Sequence, residues 1–454
     1  MKRLNKSMLT GPLLPNIISY TIPIILTSVL QLLFNAADLV IVGRFRGSLS
    51  VAAVSATGAL INLIVNLFIG LSVGAGVAVA HALGSREDSV VHKTVHTALP
   101  TAIVGGAIVT VIGIALSETF LRFMGTPDTV LPLSSLYMKI YFGGMIFTMV
   151  YNFCASILRA AGDTRSPLIF LAISGVLNVV LNVIFVVCFH MNVEGVAIAT
   201  VVSQALSAVL VVIALMRRQD ACKLYLKKIR FYTPQLMKII RIGLPAGIQG
   251  SLFSISNVII QSSINSFGDV LMSGSGAASS IEGFIYVTFN AFHQTAINFI
   301  GQNAGAGQYK RAKKIYGISL ASSVVTTLLV SIAAYIFGPQ LLSFYITDSP
   351  QAIEYGMVRL GLIALPYFIC ALMDVTTGAL RGMGASLTPM LISVMGVCGI
   401  RILWIYTIFQ MPQFHTPECL YLSYPISWTI TFLCHLTAFS IVYKKRVRAL
   451  PSHE

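Results

Sequence analysis

Three acidic residues stand where acids are costly. Asp38, in the stretch LQLLFNAADLVIVG, lies two-thirds of the way along an apolar segment that begins near Ile17, while Glu282 sits in SSIEGFIYV and Asp374 in CALMDVTTG. An aspartate at the centre of a lipid-spanning helix costs roughly 2.5–3.5 kcal/mol on insertion scales, so an intramembrane acid is by default a functional candidate. The chemistry such a group offers is reversible binding of a proton or a small cation. The bland alternative for Asp38 is a polar residue satisfied inside its own bundle, for instance by Asn35 one turn earlier. A cation site also needs neutral oxygen ligands. The run SGVLNVVLNVIFVV supplies Asn178 and Asn182, four residues apart and so on one helix face, and GVAIATV brings Thr200.

Arg401, in CGIRILWIY, lies midway along another apolar run with no charged residue within one turn. It is expected to pair across helices with Glu282 or Asp374. Lys139 and Arg359 fall nearer helix ends, where snorkelling explains them as well as function does. The aromatic residues beside Glu282 (Phe284, Tyr286, Phe289 and Phe292) are candidates for cation–π contacts with a bound organic cation, although ordinary packing accounts for most of them. Pro23 and Pro245 sit early in two apolar runs, where a missing N–H and a steric clash favour a kink; gating and relief of packing strain are equally good reasons for it. Gly70–Gly74 and Gly301–Gly305 have the G-x-x-x-G spacing of close helix contacts.

Other signals carry less. GQNAGAGQYK is glycine-rich but lacks the G-K-[ST] of a phosphate-binding loop. His92 and His96 are four apart without a third ligand nearby, and read as interfacial histidines; His293 reads as a hydrogen-bonded core histidine. The seven cysteines are scattered, odd in number and without a C-x-x-C pair, which fits packing rather than zinc or disulfides. No catalytic constellation emerges, so the chain is not expected to be an enzyme. No cofactor or metal is expected beyond Na⁺ or H⁺ held at the intramembrane acids.

Apolar helices must position these groups. Of 454 residues, 56% are hydrophobic and 10% charged, with a mean hydropathy of +0.84, a membrane-protein composition. The first apolar run, about 25 residues, is too long for a signal-peptide core and stays as a transmembrane helix. Twelve such runs fall near 17–41, 50–76, 94–116, 131–158, 166–190, 195–216, 236–262, 274–300, 315–337, 353–380, 388–410 and 419–443. Lys2, Arg3, Lys6, Arg86, Lys93, Arg159, Arg165, the connector RRQDACKLYLKKIR, KRAKK, Arg381 and the tail KKRVR all fall on the side of the N-terminus. The opposite loops hold Arg44, Arg46 and Arg122. Positive charge marks the inside, so both termini are expected in the cytoplasm of a multi-pass cell-membrane protein, and the net charge of +15 faces anionic lipid rather than nucleic acid.

The halves repeat. LRAAGDTRSP aligns with LRGMGASLTP, Pro23 with Pro245 and Phe45 with Phe267, all at an offset of 222 residues. Six is even, so both copies enter from one side. The fold class is an all-α membrane protein with two six-helix lobes, residues 1–220 and 236–454, related by a pseudo-twofold axis along the membrane normal and joined by a basic linker at about 217–235.

The chain resembles the MATE (multidrug and toxic compound extrusion) transporters along its whole length. NAADLVIVG, LRAAGDTRSP, LRGMGASLTP, GVAIATVVSQ and FIGQNAGAGQYKRAKK carry the likeness; SIEGFIYVTFNAFHQTAINFIGQN and MDVTTGALRGMG look most like a bacterial branch. The resemblance implies a secondary-active antiporter exporting cationic or amphipathic organic compounds in exchange for Na⁺ or H⁺. By resemblance, Asp38, Asn178, Asn182 and Thr200 occupy the family's first-lobe cation site, and Glu282, Asp374 and Arg401 are second-lobe substrate or coupling candidates. Asn182 stands where relatives often carry aspartate, which removes one titratable group. A small-molecule substrate, membrane lipid and a monomeric state are the expected associations. The rival is a flippase for lipid-linked saccharides, which calls for a strongly basic cavity; here the intramembrane acids at least match the bases, favouring cationic cargo.

Overall fold

A run of about 20 apolar residues must satisfy its own backbone polar groups in lipid, and the helix does so without partners. The computed structural model describes residues 8–347 and 349–449, apart from the side chains of Ser48 and Ala59. Lys2, Arg3 and Lys6, and with them the placement of the two chain ends, lie outside the described residues. The described chain is helical, in twelve long segments: α1 (Leu13–Arg46), α2 (Ser48–Gly84), α3 (Asp88–Phe123), α4 (Leu131–Gly143 and Met145–Ala160), α5 (Arg165–Cys188) and α6 (Val193–Met216). There follow α7 (Thr233–Asn265), α8 (Asp269–Gly305), α9 (Tyr309–Ile336), α10 (Pro350–Ala364 and Tyr367–Gly382), α11 (Leu387–Gln410) and α12 (Pro417–Arg448).

Among the described residues nine helices are long and apolar enough to cross a membrane, and the two bent segments raise this to eleven. The twelfth, α8, carries Glu282, His293 and five side-chain amides along its length, so it falls short of that apolarity. Glu282, His293, Asn298 and Asn303 on it are nonetheless all buried. For these side chains neighbouring helices, not lipid, are the solvent.

α1 and α7 run continuously through Pro23 and Pro245. The sharp bends are elsewhere: 48° in α4 at Gly144 and 41° in α10 ahead of Tyr367. A Cβ at Gly144 would come within 2.5 Å of Val201 of α6, so the bend brings backbone against that helix. In α10 the bend falls at Pro366, which lacks the N–H needed to continue the ladder. Three π-helical stretches interrupt the α geometry: Val183–Cys188 in α5, Leu360–Ala364 in α10 and Val394–Gly399 in α11. One starts beside Asn182 and another beside Arg359, and such bulges concentrate at functional positions.

The duplication is visible in the backbone. Left-handed residues recur at matching turns: Gly162 (φ 88°) with Gly384 (82°), Gly47 (82°) with Gly268 (93°), and Arg86 (58°) with Gly307 (72°). Only at Arg86 does a residue with a side chain take a conformation that glycine fills in the other half.

The chain divides into two compact units, Ile22–Ser251 and Met8–Thr21 with Leu252 onward. In the first, Gly70 and Gly74 of α2 meet Gly243 and Gly247 of α7 backbone to backbone; a Cβ on Gly247 would lie 2.0 Å from the Leu67 carbonyl oxygen. A further G-x-x-x-G on α7, Gly243–Gly247, which was not singled out from the sequence, completes the contact expected from Gly70–Gly74. The connector packs on the start of α3: the Tyr225 N–H donates to His96 Nε2 (3.0 Å) and the Tyr232 N–H to Thr97 Oγ1 (3.2 Å). Within it Arg218 grips Asp220. Burial would raise the Asp220 carboxyl, but that guanidinium holds it below the ordinary carboxylate range. In the second unit Thr21 of α1 bonds Thr295 of α8 (2.8 Å), and Tyr20 packs edge-on to Phe299.

A candidate ion site and a buried charge network

In the first unit, local sequence brings α1 and α5 together. Gly175 leaves no side chain facing Phe34; an added Cβ would overlap that ring at 1.8 Å. This close approach, one turn before Asp38 on α1 and two turns before Asn182 on α5, lets two short polar side chains meet. Asn182 Nδ2 donates to Asp38 Oδ1 at 2.5 Å and to Asn178 Oδ1 at 3.2 Å, and Asn178 Nδ2 donates to Thr200 Oγ1 of α6 at 3.4 Å. Thr200 in turn donates to the Val196 carbonyl (2.9 Å). Asn182 is fully buried and Asn178 nearly so. Asp38 is therefore held by Asn182 across helices, not by Asn35 on its own. The Asn182 Oδ1 has no hydrogen-bond partner although it is buried.

A cavity of about 60 Å³ opens beside this chain, lined by Gln31, Asn35, Asp38, Asn178, Thr200 and Gln204 among others. That exceeds the roughly 10–15 Å³ a single water requires on the same measure. One carboxylate, the side-chain amides of Gln31, Asn35, Asn178 and Gln204 and the hydroxyls of Thr200 and Ser203 around such a space form an oxygen-rich donor set, suited to a small hard cation or to a proton on the acid. Gln31, Ser203 and Gln204 were not singled out from the sequence. Their signal was there: Gln31, Asn35 and Asp38 follow the i, i+4, i+7 spacing of one helix face.

The second unit corrects the expected pairing. Arg401 joins neither Glu282 nor Asp374. Glu282 is instead clamped by Arg359, whose Nε and Nη2 each donate to one carboxylate oxygen at 2.8 Å while Nη1 donates to Ser275 Oγ (2.8 Å). Both partners are buried, so Arg359 does not snorkel; Lys139, in contrast, is exposed. Arg359 is the last α-helical residue before the α10 π stretch, and its guanidinium lies between Glu282 of α8 and the Tyr421 ring of α12. Asp374 meets His293, 3.2 Å from Nδ1 to Oδ1, and the Asp374 carbonyl lies 2.7 Å from the same nitrogen. Arg381 Nη1 reaches His293 Nε2 at 3.4 Å. The imidazole thus bridges acid and guanidinium, with His293 and Arg381 buried and Asp374 half-buried.

Arg401 lies over the rings of Tyr424 (4.0 Å) and Trp428 (5.5 Å) and donates from Nε to Ser427 Oγ (2.9 Å). Phe289 and Phe292 are fully buried packing residues, while Phe284 and Tyr286 are exposed. With Arg359 and Arg381 buried against the two second-unit acids, the tally of acids against bases that favoured cationic cargo does not carry over to this unit.

The relatives agree with this architecture. The MatE family profile matches residues 23–184 and 245–407, two segments that begin at Pro23 and Pro245. The chain is 27% identical over 399 residues to the probable multidrug resistance protein YpnP of Bacillus subtilis, covering 86% of this chain and 87% of that protein. It is 22% identical over 442 residues to the multidrug export protein MepA of Staphylococcus aureus, covering 96% and 95%. Its fold superimposes on a crystal structure of MATE in complex with MaL6 at a TM-score of 0.91, with 19% identity over 99% of this chain and 100% of the other. A duplicated six-helix unit, both halves of which match one profile, places the chain in the MATE family: it is a multi-pass membrane transporter of small molecules, not an enzyme.

Proposed function

We propose that this transporter is a secondary-active antiporter that exports amphipathic organic compounds, in multidrug fashion, in exchange for Na⁺ or H⁺ bound at Asp38. The relatives named for multidrug resistance and export support the cargo class. The observation that carries the coupling role is the chain Asp38–Asn182–Asn178–Thr200 beside its cavity, with a buried amide oxygen left over on Asn182.

In its ionised form the Asp38 carboxylate accepts the bond from Asn182 most strongly; occupancy by a proton or a cation weakens that bond and frees the amide to turn. The α1–α5 contact, set by Gly175 against Phe34, then has two arrangements that an ion can bias, as alternating access requires. Because Asn182 is not an acid, the site carries one negative charge and suits one monovalent cation. Pro23 and Pro245, one in each repeat, are proposed to ease the accompanying helix movements. Both termini are proposed to lie on the cytoplasmic side of the cell membrane, a reading that the Lys and Arg asymmetry supports, and one chain is proposed as the working unit.

The test uses everted vesicles from cells expressing the full chain. Ethidium movement is followed under an imposed Na⁺ or pH gradient. One of the two gradients should drive transport, and Asp38→Asn should reduce it at least about tenfold. Transport that persists in Asp38→Asn would remove the coupling role from this residue.

A further inference from the structure

We infer that the Arg401 guanidinium is a binding site for an anionic group, a carboxylate or phosphate, on the transported compound. This rests on the exporter reading above and adds compounds that carry such a group to its substrate class. Arg401 is 4% exposed, and its Nη2 is buried with no hydrogen-bond partner. Its only polar contact among the described residues is from Nε to the neutral Ser427 hydroxyl. No ion pair joins it to a carboxylate there: of the two acids set within the apolar runs of this unit, Glu282 faces Arg359, and Asp374 faces His293, which Arg381 backs.

The buried interior of this unit therefore holds three guanidiniums, Arg359, Arg381 and Arg401, against two acids. A buried charge without a counterion is costly, and the faces of Tyr424 and Trp428 offset only part of that cost. A guanidinium presents its N–H groups in a planar fork that fits carboxylate or phosphate oxygens. Set against two aromatic rings, the unfilled arm of that fork suits an amphipathic anion or zwitterion whose apolar body lies on the rings.

The chain's two tryptophans, Trp404 and Trp428, are both in this unit, and Trp428 stacks beside Arg401, so tryptophan quenching reports on the site. The detergent-solubilised full chain is titrated with three probes of one shape: para-nitrobenzoate, para-nitrobenzamide and para-nitrobenzylammonium. The carboxylate should quench saturably with an affinity roughly tenfold or more above the amide, with the ammonium weakest. Arg401→Gln should erase that ranking, and Trp428→Phe should remove most of the quenching. Should Arg401→Gln not fold, Arg401→Lys, which keeps the charge but not the fork, should weaken the carboxylate several-fold. Equal affinity for the three probes in the unaltered protein, or a ranking unchanged in the Arg401 variants, overturns the inference and leaves Arg401 as an aromatic-cushioned packing residue. The measurement needs no ion gradient. Its failure is thus distinct from a failure of the coupling role, which Asp38→Asn reports.

Discussion

At the scale of single residues, the contrast between Glu282 and Asp38 is the informative one. Both are acids in membrane helices, yet Glu282 is neutralised within the protein by a two-point guanidinium clamp, whereas Asp38 meets only a neutral amide. An acid already paired has little to gain from a small cation; one facing an amide beside a cavity has much. Glu282 and Arg359 thus behave as a structural pair. Breaking a buried pair by removing one partner costs about 3–5 kcal/mol because the other charge is stranded. Arg359→Ala should accordingly lower the thermal midpoint of the purified protein sharply, and the exchanged pair Glu282→Arg with Arg359→Glu should recover part of the loss; no recovery would argue against a pairwise interaction. Asp38, Glu282, Asp374 and Arg401 were each legible in the sequence as costly charges. Their partners were not, since Asn182 lies 144 residues from Asp38 and Arg359 lies 77 from Glu282.

At the scale of helices, glycines decide which elements can approach. Gly175 admits Phe34 and so delivers Asp38 to Asn182, and the α2–α7 crossing depends on glycines on both faces. Alanine at Gly247 would set its Cβ against the Leu67 carbonyl, backbone that cannot swing aside. Overpacking of this kind costs typically 1–3 kcal/mol. Gly247→Ala should therefore lower the thermal midpoint and expression, whereas Gly283→Ala, where a Cβ meets nothing within 4 Å, should leave both unchanged. Helix existence followed from apolar run length, and every run foreseen is helical. The bends followed less well: proline marked Pro23 and Pro245, but Gly144 and Pro366 are where the axis turns sharply. A proline early in a long helix can be carried by its neighbours, and only packing reveals whether it is.

For the whole molecule, duplication supplies its own comparison. Arg86 occupies a left-handed turn for which the second half uses Gly307. Arg86→Gly should stabilise the protein by about 0.5–1 kcal/mol through relief of that conformation. Thermal unfolding in detergent reads the sign, and a lower midpoint would show that the Arg86 side chain contributes more than its backbone costs. By itself, the sequence determined what depends on neighbours along the chain: membrane insertion from apolar runs, the sidedness expected from Lys and Arg, the repeat from its constant offset, and the family from motifs placed twice. Only the tertiary structure decided which charges meet. In low dielectric a charge takes whichever partner lies within a few ångströms, and that distance is set by helix packing, by glycine contacts and by π-helical turns that rotate a side chain, none of which is written in the spacing of residues along one helix.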